Sequence, residues 1–550
     1  MNILLAAVNA KYIHSNLAVY SLRAYAKQYK DEITIAEYTI NQQTNDILMD
    51  IYKKKPDIVC FSCYIWNLTY VENIIRELRK LKPSIPIWVG GPEVSYDAKD
   101  VLSRMPEITG VMFGEGEETF LELMKFYHGE GKKLCDIKGI AYRDEEGIVV
   151  ENDWRTVIDL SAVPFVYEDM ENFKHKIIYY ESSRGCPFSC SYCLSSVDKC
   201  LRFRDLDLVK KELQFFIDAE VPQVKFVDRT FNCNHKHAME IWRYLLENDK
   251  GITNFHFEVA ADLLNEEELT LIEQMRPGLI QLEIGVQSTN EITIKEIRRT
   301  MKFSEVSRIV KRIKQNENIH QHLDLIAGLP YEDLESFKKS FNDVYNLYPE
   351  QLQLGFLKVL KGSYMEEQKD AYELVYQSLP PYEVLCTKWL SYDDVLELKM
   401  IEEMVEVYYN SGQFAYTLRQ LVKEFVSPYQ MYYDLGKYYE VHELNMMSHS
   451  RVKRYEILLD FIKERHLDKE ELYKELLIFD LYLRERVKSR PSFAGEYTVS
   501  KELKKEQGKT SHIEKFSYRV ADSCERKECV ILFDYDNRSK LTHEASLKYI

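Results

Sequence analysis

The sequence predicts an α/β chain in three parts: an N-terminal doubly wound, Rossmann-like domain, a partial (β/α)6 TIM-like barrel, and a mostly helical C-terminal domain. Two runs of short apolar strands alternating with amphipathic helices, over residues 1–130 and 177–360, predict the first two parts. The 550 residues suit about three domains, because one hydrophobic core serves roughly 100–200 residues. We place the parts at 1–135, 136–172 (a linker with a β-hairpin), 173–364 and 365–550.

Composition and charge exclude several classes of protein. The chain carries 73 Lys and Arg against 89 Asp and Glu, a formal charge of −16. A nucleic-acid binder needs a positive face that neutralises phosphates, so nucleic acid is not an expected partner. No apolar run reaches the roughly 20 residues that span a bilayer, and the N-terminus lacks the basic segment of a signal peptide. We therefore expect a cytoplasmic protein without a membrane span, whose eleven cysteines are too sparse for a disulfide scaffold.

Residues 1–130 contain five strand-like segments separated by helical periodicity. Ile- and Val-rich strands joined by helices predict right-handed crossovers and a parallel sheet that is buried on both faces. Such sheets bind ligands in the crevice at the carboxyl ends of their strands. The predicted strands are Asn2 to Val8, Ile33 to Tyr38, Asp57 to Cys63, Ile85 to Val89 and Gly110 to Phe113, with helices near 16–29, 46–53, 68–81 and 117–127.

A hairpin signal, Asp144-Glu145-Glu146-Gly147, separates the two α/β regions. From residue 177 to 360 strand and helix then alternate six times, which suits a partial barrel with functional groups at the carboxyl ends of its strands. Beyond 365 we expect helices to about 490 and strands over 515–520 and 529–535, without a chemical motif. The predicted barrel strands are 177–181, 223–228, 254–260, 279–286, 320–326 and 351–360.

Three cysteines lie together directly after the first barrel strand. Cys186, Cys190 and Cys193 are spaced four and then three residues apart in a loop that contains glycine and proline. Three thiolates at this spacing can hold three irons of a cubane cluster and leave the fourth iron open. The alternative is a zinc site that recruits His235 or His237 as its fourth ligand.

The Cys-x3-Cys-x2-Cys pattern, with the aromatic Tyr192 before the last cysteine, resembles the radical S-adenosylmethionine (SAM) superfamily over about residues 170–360. The resemblance implies that Cys186, Cys190 and Cys193 are the catalytic metal ligands of a [4Fe-4S] cluster. It implies that the open iron binds the amino and carboxylate groups of SAM and that one-electron reduction yields a 5′-deoxyadenosyl radical. A flavodoxin or ferredoxin is then the expected electron donor.

Polar groups at the ends of later barrel strands also fit this superfamily. They face the barrel mouth, where they can bond the ribose or the amino group of SAM. Arg229 departs from the pattern, because it stands at one of two frequent acidic positions. The candidate SAM-binding residues are Tyr192, Asp228, Glu258, Gln287, Ser288 and Gly328.

The N-terminal domain lacks Gly-x-Gly-x-x-Gly after its first strand, so a dinucleotide site is not expected. Two neighbouring strands end instead in paired glycines, which let a bulky planar ligand approach the backbone. Ahead of this barrel, these motifs resemble the cobalamin-binding radical SAM enzymes, and the resemblance covers about residues 1–360. It implies that cobalamin is bound by Gly90, Gly91, Pro92, Glu93, Gly114, Glu115, Gly116 and Glu117, and that Ser62 and Asn67 line the corrin and its nucleotide tail.

Other corrinoid proteins supply an axial histidine from Asp-x-His-x-x-Gly. Here His14 has Tyr12 and Leu17 at the positions of that Asp and Gly. The sequence therefore favours cobalt without a protein histidine, with ligation by His14 as the alternative. Cys60 and Cys63 lie three apart on one predicted strand and face opposite sides, so we expect core thiols and not a redox pair.

The resemblance implies a cobalamin-dependent radical SAM enzyme that methylates an unactivated carbon of a small-molecule or peptide substrate. Members of the same family also catalyse ring rearrangement or cyclisation without methyl transfer, and the residues above do not separate these outcomes. A non-catalytic corrinoid or redox sensor and a radical enzyme that modifies RNA are further alternatives. We expect residues 365–550 to determine substrate choice.

Overall fold

The computed structural model describes residues 1–197, 199–465, 469–496, 499 and 508–550. Contacts divide the chain into two compact units, each built from segments that are distant in sequence. The first unit comprises Met1–Met275, Ile294–Met301 and Phe356–Lys388, and the second comprises Arg276–Thr293, Lys302–Gly355 and Trp389–Ile550. The predicted α/β class, the N-terminal parallel sheet and the helical C-terminal region are confirmed.

The first 151 residues alternate strands and helices as the sequence predicts. Their strands are β1 (Ile3–Asn9), β2 (Ile33–Thr39), β3 (Ile58–Ser62), β4 (Ile87–Gly90), β5 (Gly110–Met112), β6 (Ile140–Arg143) and β7 (Val149–Glu151). Their helices are α1 (Leu17–Tyr25), α2 (Thr44–Lys53), α3 (Leu68–Leu81), α4 (Pro92–Ser95), α5 (Ala98–Arg104) and α6 (Gly116–Tyr127). The strands form one sheet in the order β2-β1-β3-β4-β5-β6-β7, in which β1 to β5 are parallel.

This sheet is buried on both faces. Leu4 and Ala6 of β1 enter a core with α2 and α3, whereas Leu5 and Ala7 enter a second core with α1 and α6. Successive residues of a strand point to opposite faces, so an apolar strand without polar gaps needs helices on both sides. The carboxyl ends of β1 to β5 therefore lie at one edge, which is where a doubly wound sheet binds ligands.

The predicted hairpin is present, but it extends the sheet. Strand β6 pairs antiparallel with β5, with Gly110 opposite Tyr142, and β7 pairs with β6. Ile140 and Ala141 are fully buried, so the hairpin covers what would otherwise be an exposed edge at β5.

Residues 178–356 carry the strand and helix repeats predicted for the barrel region. They form β8 (Ile178–Tyr180), β9 (Ser183–Arg184), β10 (Arg202–Phe203), α7 (Leu206–Asp218), β11 (Gln223–Phe226), α8 (His235–Asn248), β12 (Asn254–Val259), α9 (Glu266–Glu273), β13 (Ile280–Gln287), α10 (Glu291–Glu296), α11 (Phe303–Gln315), β14 (His320–Ala327), α12 (Leu334–Tyr345) and β15 (Gln351–Phe356). In the first unit β11 pairs in parallel with β8 and β12, and in the second unit β13 pairs in parallel with β14.

The C-terminal region is mainly helical, as predicted. It forms α13 (Tyr364–Glu367), β16 (Val375–Tyr376), β17 (Val384–Cys386), α14 (Tyr392–Met404), α15 (Ala415–Leu421), α16 (Pro428–Val441), α17 (Arg451–Glu464), α18 (Glu470–Arg484), β18 (Ser511–Phe516), β19 (Cys529–Asp534) and β20 (Ser546–Tyr549). Strand β18 starts before the predicted 515–520, and the short, mostly exposed β20 carried no apolar signal. Within the described ranges, no helix is long and apolar enough to cross a bilayer.

Candidate functional site

The three cysteines lie in one loop, which begins after β9 and ends before β10, and these two short strands pair with each other. Gly185 opens the loop with a φ of +93°, and a Cβ there would lie 2.7 Å from the carbonyl oxygen of Cys200. Glycine is therefore required at this turn. Cys186 and Cys190 are buried, and burial raises the pKa of the Cys186 thiol. A bound cationic centre would reverse this effect and stabilise the thiolate.

The donor set fits a cluster better than a single zinc ion. Thiolates around one zinc lie about 3.8 Å apart, because each Zn–S bond is about 2.3 Å. Among the residues that the structure describes, no trio containing these cysteines has its ligand atoms within 4.8 Å of one another. His237 Nε2 lies 3.0 Å from Ser182 Oγ, and His235 Nδ1 lies 3.0 Å from Glu268 Oε1. Each histidine of the zinc alternative is thus hydrogen-bonded through one ring nitrogen to a residue outside the cysteine loop, whereas thiolates on three separate irons need not converge on one point.

A half-buried arginine that the sequence analysis missed reaches this loop. Arg299 Nη1 lies 3.8 Å from Cys190 Sγ and 3.4 Å from the Tyr192 hydroxyl. The backbone N–H of Ser191 also donates to the carbonyl of Ile297 at 3.0 Å. The guanidinium therefore places a fixed positive charge beside one of the three thiols. No sequence spacing links Arg299 to the cysteines. The adjacent basic residues Arg298 and Arg299 were the one feature of the sequence that could have indicated this role.

The motif that follows β5 joins the same loop through ion pairs. Arg184, directly before Gly185, binds Glu115 at 3.0 Å, Glu117 at 2.8 Å and Glu181 at 2.7 Å. Arg202 also pairs with Glu115. Burial lowers the pKa of Arg184, but the surrounding carboxylates outweigh it and raise the pKa overall. Glu115 and Glu117 therefore hold the cysteine loop, and their predicted contact with cobalamin stays a prediction.

Contacts within the protein require glycine at two positions of the motifs that follow β4 and β5. Gly91 has a φ of +117°, and a Cβ there would lie 2.4 Å from the carbonyl oxygen of Cys63. Gly114 has a φ of +72°, and its Cβ would lie 3.3 Å from the ring of Trp154. The backbone conformation and nearby protein atoms thus already require glycine at these two positions, and their predicted contact with cobalamin stays a prediction. In the same motifs Gly90 ends β4, Pro92 begins α4, Gly116 begins α6, and Glu93 is buried.

Ser62 and Asn67 are hydrogen-bonded within the domain. Ser62 Oγ accepts from the Asn16 side chain at 3.0 Å. Asn67 is fully buried, and its amide donates to the carbonyls of Val8 and Ser62 at 2.9 Å each while its oxygen accepts from Tyr64 N at 2.8 Å. Asn67 therefore shapes the loop after β3, and its predicted role beside the corrin stays a prediction.

The carboxyl edge of this sheet fits a large planar ligand for another reason. Aromatic side chains that are normally covered are exposed here: Tyr12 by 67%, Trp154 by 51% and Trp66 by 41%. The rings of Tyr64 and Trp66 stack at 4.5 Å. Exposed apolar surface at a ligand-binding edge marks a binding face, and the flat, largely apolar faces of a corrin suit it. The residues present therefore fit cobalamin.

His14 is partly committed to another partner. Its Nδ1 lies 2.6 Å from the Tyr179 hydroxyl, and burial lowers the pKa of the imidazole. A neutral ring held by one nitrogen can still offer the other, so the hydrogen bond fixes the orientation of His14. The preference for cobalt without His14 stays a prediction.

Asp228 supports the backbone ahead of the cysteine loop. This fully buried carboxylate accepts from Ser182 N at 3.0 Å and from the hydroxyls of Ser182 and Ser183 at 2.6 Å. Burial raises its pKa to about 6. Asp228 thus fixes the two residues that precede Arg184, and its predicted contact with SAM stays a prediction. Glu258, the other candidate of the first unit, lies near the end of β12 and is half-buried.

In the second unit, Gln287 and Ser288 end β13 with different environments. Ser288 Oγ is buried and donates to Glu332 Oε1 at 2.6 Å, so it belongs to an internal network. Gln287 has a φ of +70°, and its buried Oε1 has no hydrogen-bond partner in the described part of the chain. An orphaned buried acceptor fits a donor supplied by a ligand, which supports Gln287 as a SAM contact. Gly328 follows β14 with a φ of +90°.

Two family matches cover the regions that carry these sites. Residues 3–124 match the B12 binding domain, and residues 180–344 match the radical SAM superfamily. The chain is a radical SAM protein with a B12-binding domain. Its families imply a [4Fe-4S] cluster, SAM and cobalamin as cofactors, and the cysteine loop and the aromatic sheet edge fit them. Residues 370–511 of this radical SAM protein match a third family, described as a protein of unknown function (DUF4080).

Known relatives of this radical SAM protein differ in activity. It is 25% identical over 302 residues to 2-(S-pantetheinyl)-carbapenam-3-carboxylate methyltransferase of Streptantibioticus cattleyicolor, covering 52% of this chain and 44% of the relative. It is 23% identical over 329 residues to anaerobic magnesium-protoporphyrin IX monomethyl ester cyclase of Rubrivivax gelatinosus, covering 57% and 58%. The chain thus spans about half the length of these relatives.

The fold is shared with a solved structure that carries cobalamin and SAM. The cobalamin-dependent S-adenosylmethionine radical enzyme OxsB, with aqua-cobalamin and S-adenosylmethionine bound, superposes with a TM-score of 0.60 at 18% identity. The match covers 86% of this chain and 78% of OxsB. At this identity the likeness establishes the fold.

Proposed function

We propose that this radical SAM protein is a methyltransferase that adds a methyl group to an unactivated carbon of a small molecule or peptide. The observation that carries the proposal is the joining, within one unit, of the cysteine loop to the B12-binding sheet through Arg184, Glu115 and Glu117. When bound, the cluster with SAM supplies a radical that removes an inert hydrogen, and cobalamin supplies the methyl group. Similarity to the carbapenam methyltransferase supports the same reaction class.

The residues of the chain would divide the work as follows. Cys186, Cys190 and Cys193 hold the cluster, and Arg299 keeps a positive charge beside Cys190. The ion pairs of Arg184 fix the loop relative to the edge of the B12-binding sheet, so that both cofactors are held at one place. The aromatic edge of the sheet covers a corrin face and keeps water from it.

We propose that the C-terminal region, residues 365–550, contributes to substrate choice. The start of this region touches the cysteine loop, because Met365 N donates to the carbonyl of Ser191 at 2.9 Å. The boundaries at 135, 172 and 364 are retained as proposed domain limits.

We also propose a cytoplasmic location, with flavodoxin or ferredoxin as the electron donor. The sequence supports this location, because eleven cysteines in 550 residues are too sparse for a disulfide scaffold.

A second candidate is ring rearrangement or cyclisation without methyl transfer. Similarity to the magnesium-protoporphyrin cyclase favours it, since that relative is matched over a comparable share of the chain. A sensor that only binds the cofactors would have no need of an open cluster site for SAM. A methyltransferase, a cyclase and a sensor differ in the products that each forms from SAM.

The test is product analysis with anaerobically purified, fully loaded protein and a candidate substrate under reducing conditions. Methyl transfer replaces a C–H bond by a C–CH3 bond and consumes two SAM. One gives its methyl group and becomes S-adenosylhomocysteine. The other is cleaved by one electron, releases methionine and takes the hydrogen atom to become 5′-deoxyadenosine, and the reductant supplies the second electron that the overall reaction consumes. With substrate present, 5′-deoxyadenosine without S-adenosylhomocysteine would favour cyclisation. Absence of both products would favour a sensor. Cys60→Ala, which changes a buried thiol of β3, is the matched active control.

A further inference from the structure

Three side chains of ligand type meet on the paired strands β13 and β14 of the second unit. One ligand atom each from Glu283, His322 and Asp324 lies within 4.8 Å of the other two. Within the ranges that the structure describes, this is the one group of three His, Cys, Asp or Glu residues with that property.

The sheet itself brings these residues together. Glu283 of β13 lies directly opposite His322 of β14, and Gly285 lies opposite Asp324. His322 and Asp324 are two residues apart on one strand, so they share a face. Gly285, the residue opposite Asp324 in the register, has no side chain. The cluster thus rests on paired strands, which hold a site more precisely than loops do.

Burial and charge distinguish this cluster from an ordinary acidic surface. The His322 side chain is 8% exposed, the Asp324 side chain is 19% exposed, and His322 Nε2 lies 3.0 Å from Asp324 Oδ1. Leu282 and Ile284 alternate with Glu283 on β13 and are buried, so the triad occupies the polar face of an otherwise apolar strand. The cluster thus joins two acidic side chains with an imidazole on a partly buried face, and a divalent cation offsets negative charge there.

We propose that Glu283, His322 and Asp324 bind one divalent first-row transition metal ion. An imidazole nitrogen with two carboxylate oxygens suits zinc, iron and manganese. Three atoms at most 4.8 Å apart lie no more than about 2.8 Å from a common centre, so they close on zinc at about 2.0–2.2 Å by moving about 0.6–0.8 Å each. Three protein ligands leave a coordination position open for water or a substrate group.

The test is zinc binding by the full chain with its cluster in place. Anaerobic equilibrium dialysis against Zn²⁺, followed by elemental analysis of zinc and iron in the same sample, gives both stoichiometries. We expect one zinc per chain without loss of iron. Asp324→Asn and His322→Ala should each weaken zinc binding at least tenfold, whereas the exposed control Glu317→Gln should bind as the wild type does. Equal zinc affinity in all four proteins would overturn the proposal.

Two further measurements keep the result unambiguous. A variant with all three loop cysteines changed to alanine should still bind one zinc, and loss of zinc there would place the metal on the thiols and refute the site. Zinc should raise the melting temperature of the wild type and of Glu317→Gln but not of Glu283→Gln, which preserves side-chain size. An equal rise in Glu283→Gln would contradict the proposal. Neither result depends on methyl transfer, so the two proposals fail separately.

Discussion

Replacing Arg184 by glutamine should destabilise the first unit more than any exposed arginine replacement. The side chain is 21% exposed and binds three carboxylates, of which Glu117 is only 7% exposed. The five charged groups of the network, Glu115, Glu117, Glu181, Arg184 and Arg202, sum to −1, and the substitution makes the sum −2. Breaking a buried ion pair by removing one partner costs about 3–5 kcal/mol, because the other charge stays buried.

The exposure of Arg184 lowers that figure, so we expect a loss of about 3 kcal/mol in the free energy of unfolding. The assay is urea denaturation followed by fluorescence and circular dichroism. Arg76→Gln is the matched control, because Arg76 is 46% exposed and pairs with Glu72 one helical turn away. It should cost less than about 0.5 kcal/mol. Adding Glu117→Gln to Arg184→Gln should recover part of the loss, since the stranded carboxylate disappears.

Equal costs for Arg184→Gln and Arg76→Gln would refute the reasoning, as would a double variant that is no more stable than Arg184→Gln. Either result would mean that the ion pairs do not hold the cysteine loop to the N-terminal sheet. A cluster content that falls together with stability in Arg184→Gln, measured as iron per chain, would locate the damage at the loop.

Alanine at any one of the three loop cysteines should remove the iron–sulfur cluster, measured as iron and acid-labile sulfide, whereas Cys60→Ala should keep it; full iron in the triple variant would contradict the site. His14→Ala should leave the absorbance spectrum of bound cobalamin unchanged, and a shifted spectrum would make His14 the axial ligand. Gly91→Leu should abolish cobalamin binding, because its φ of +117° and the carbonyl of Cys63 leave no room for a side chain; retained binding would contradict this. Burial raises the pKa of Glu332 to about 7 from 4.5, so the folded state binds the extra proton and stability falls as pH rises from about 4.5 to 7. Glu332→Gln should remove about 3 kcal/mol of that fall between pH 5 and 8, and an unchanged urea profile would refute it.

The sequence predicted those parts of the fold that local patterning controls. The order and approximate positions of the strands in the N-terminal sheet, including the uniformly apolar β1, followed from apolar runs between helices. The cysteine loop was found because its three ligands lie within eight residues of one chain segment. Such features need no knowledge of tertiary contacts.

The partners of individual site residues could not be predicted, because they come from remote segments. Arg184 meets Glu115, which lies 69 positions earlier, and Arg299 meets Cys190, which lies 109 positions earlier. Nothing in the local pattern marks such a pair. The same limit applied to Glu283 and His322, whose meeting depends on the register between β13 and β14.

The partners that predicted ligand-binding residues have within the protein were not visible in the sequence. Asn67, whose place beside the corrin stays a prediction, makes three hydrogen bonds within the domain, and these account for its burial. The exposed rings of Tyr12 and Trp66 were a better signal for a ligand face, yet exposure is a tertiary property. A sequence shows an aromatic residue without showing whether anything covers it.

The central claim, methyl transfer that uses both cofactors, is tested most directly with SAM carrying a deuterated methyl group. The fully loaded protein, a reductant and an anaerobic metabolite extract as substrate pool would be incubated together, and the products would be measured by mass spectrometry. The account predicts a product that carries the intact CD3 group, formed with one S-adenosylhomocysteine and one 5′-deoxyadenosine per molecule. A modified product without the label, formed with 5′-deoxyadenosine alone, would contradict it.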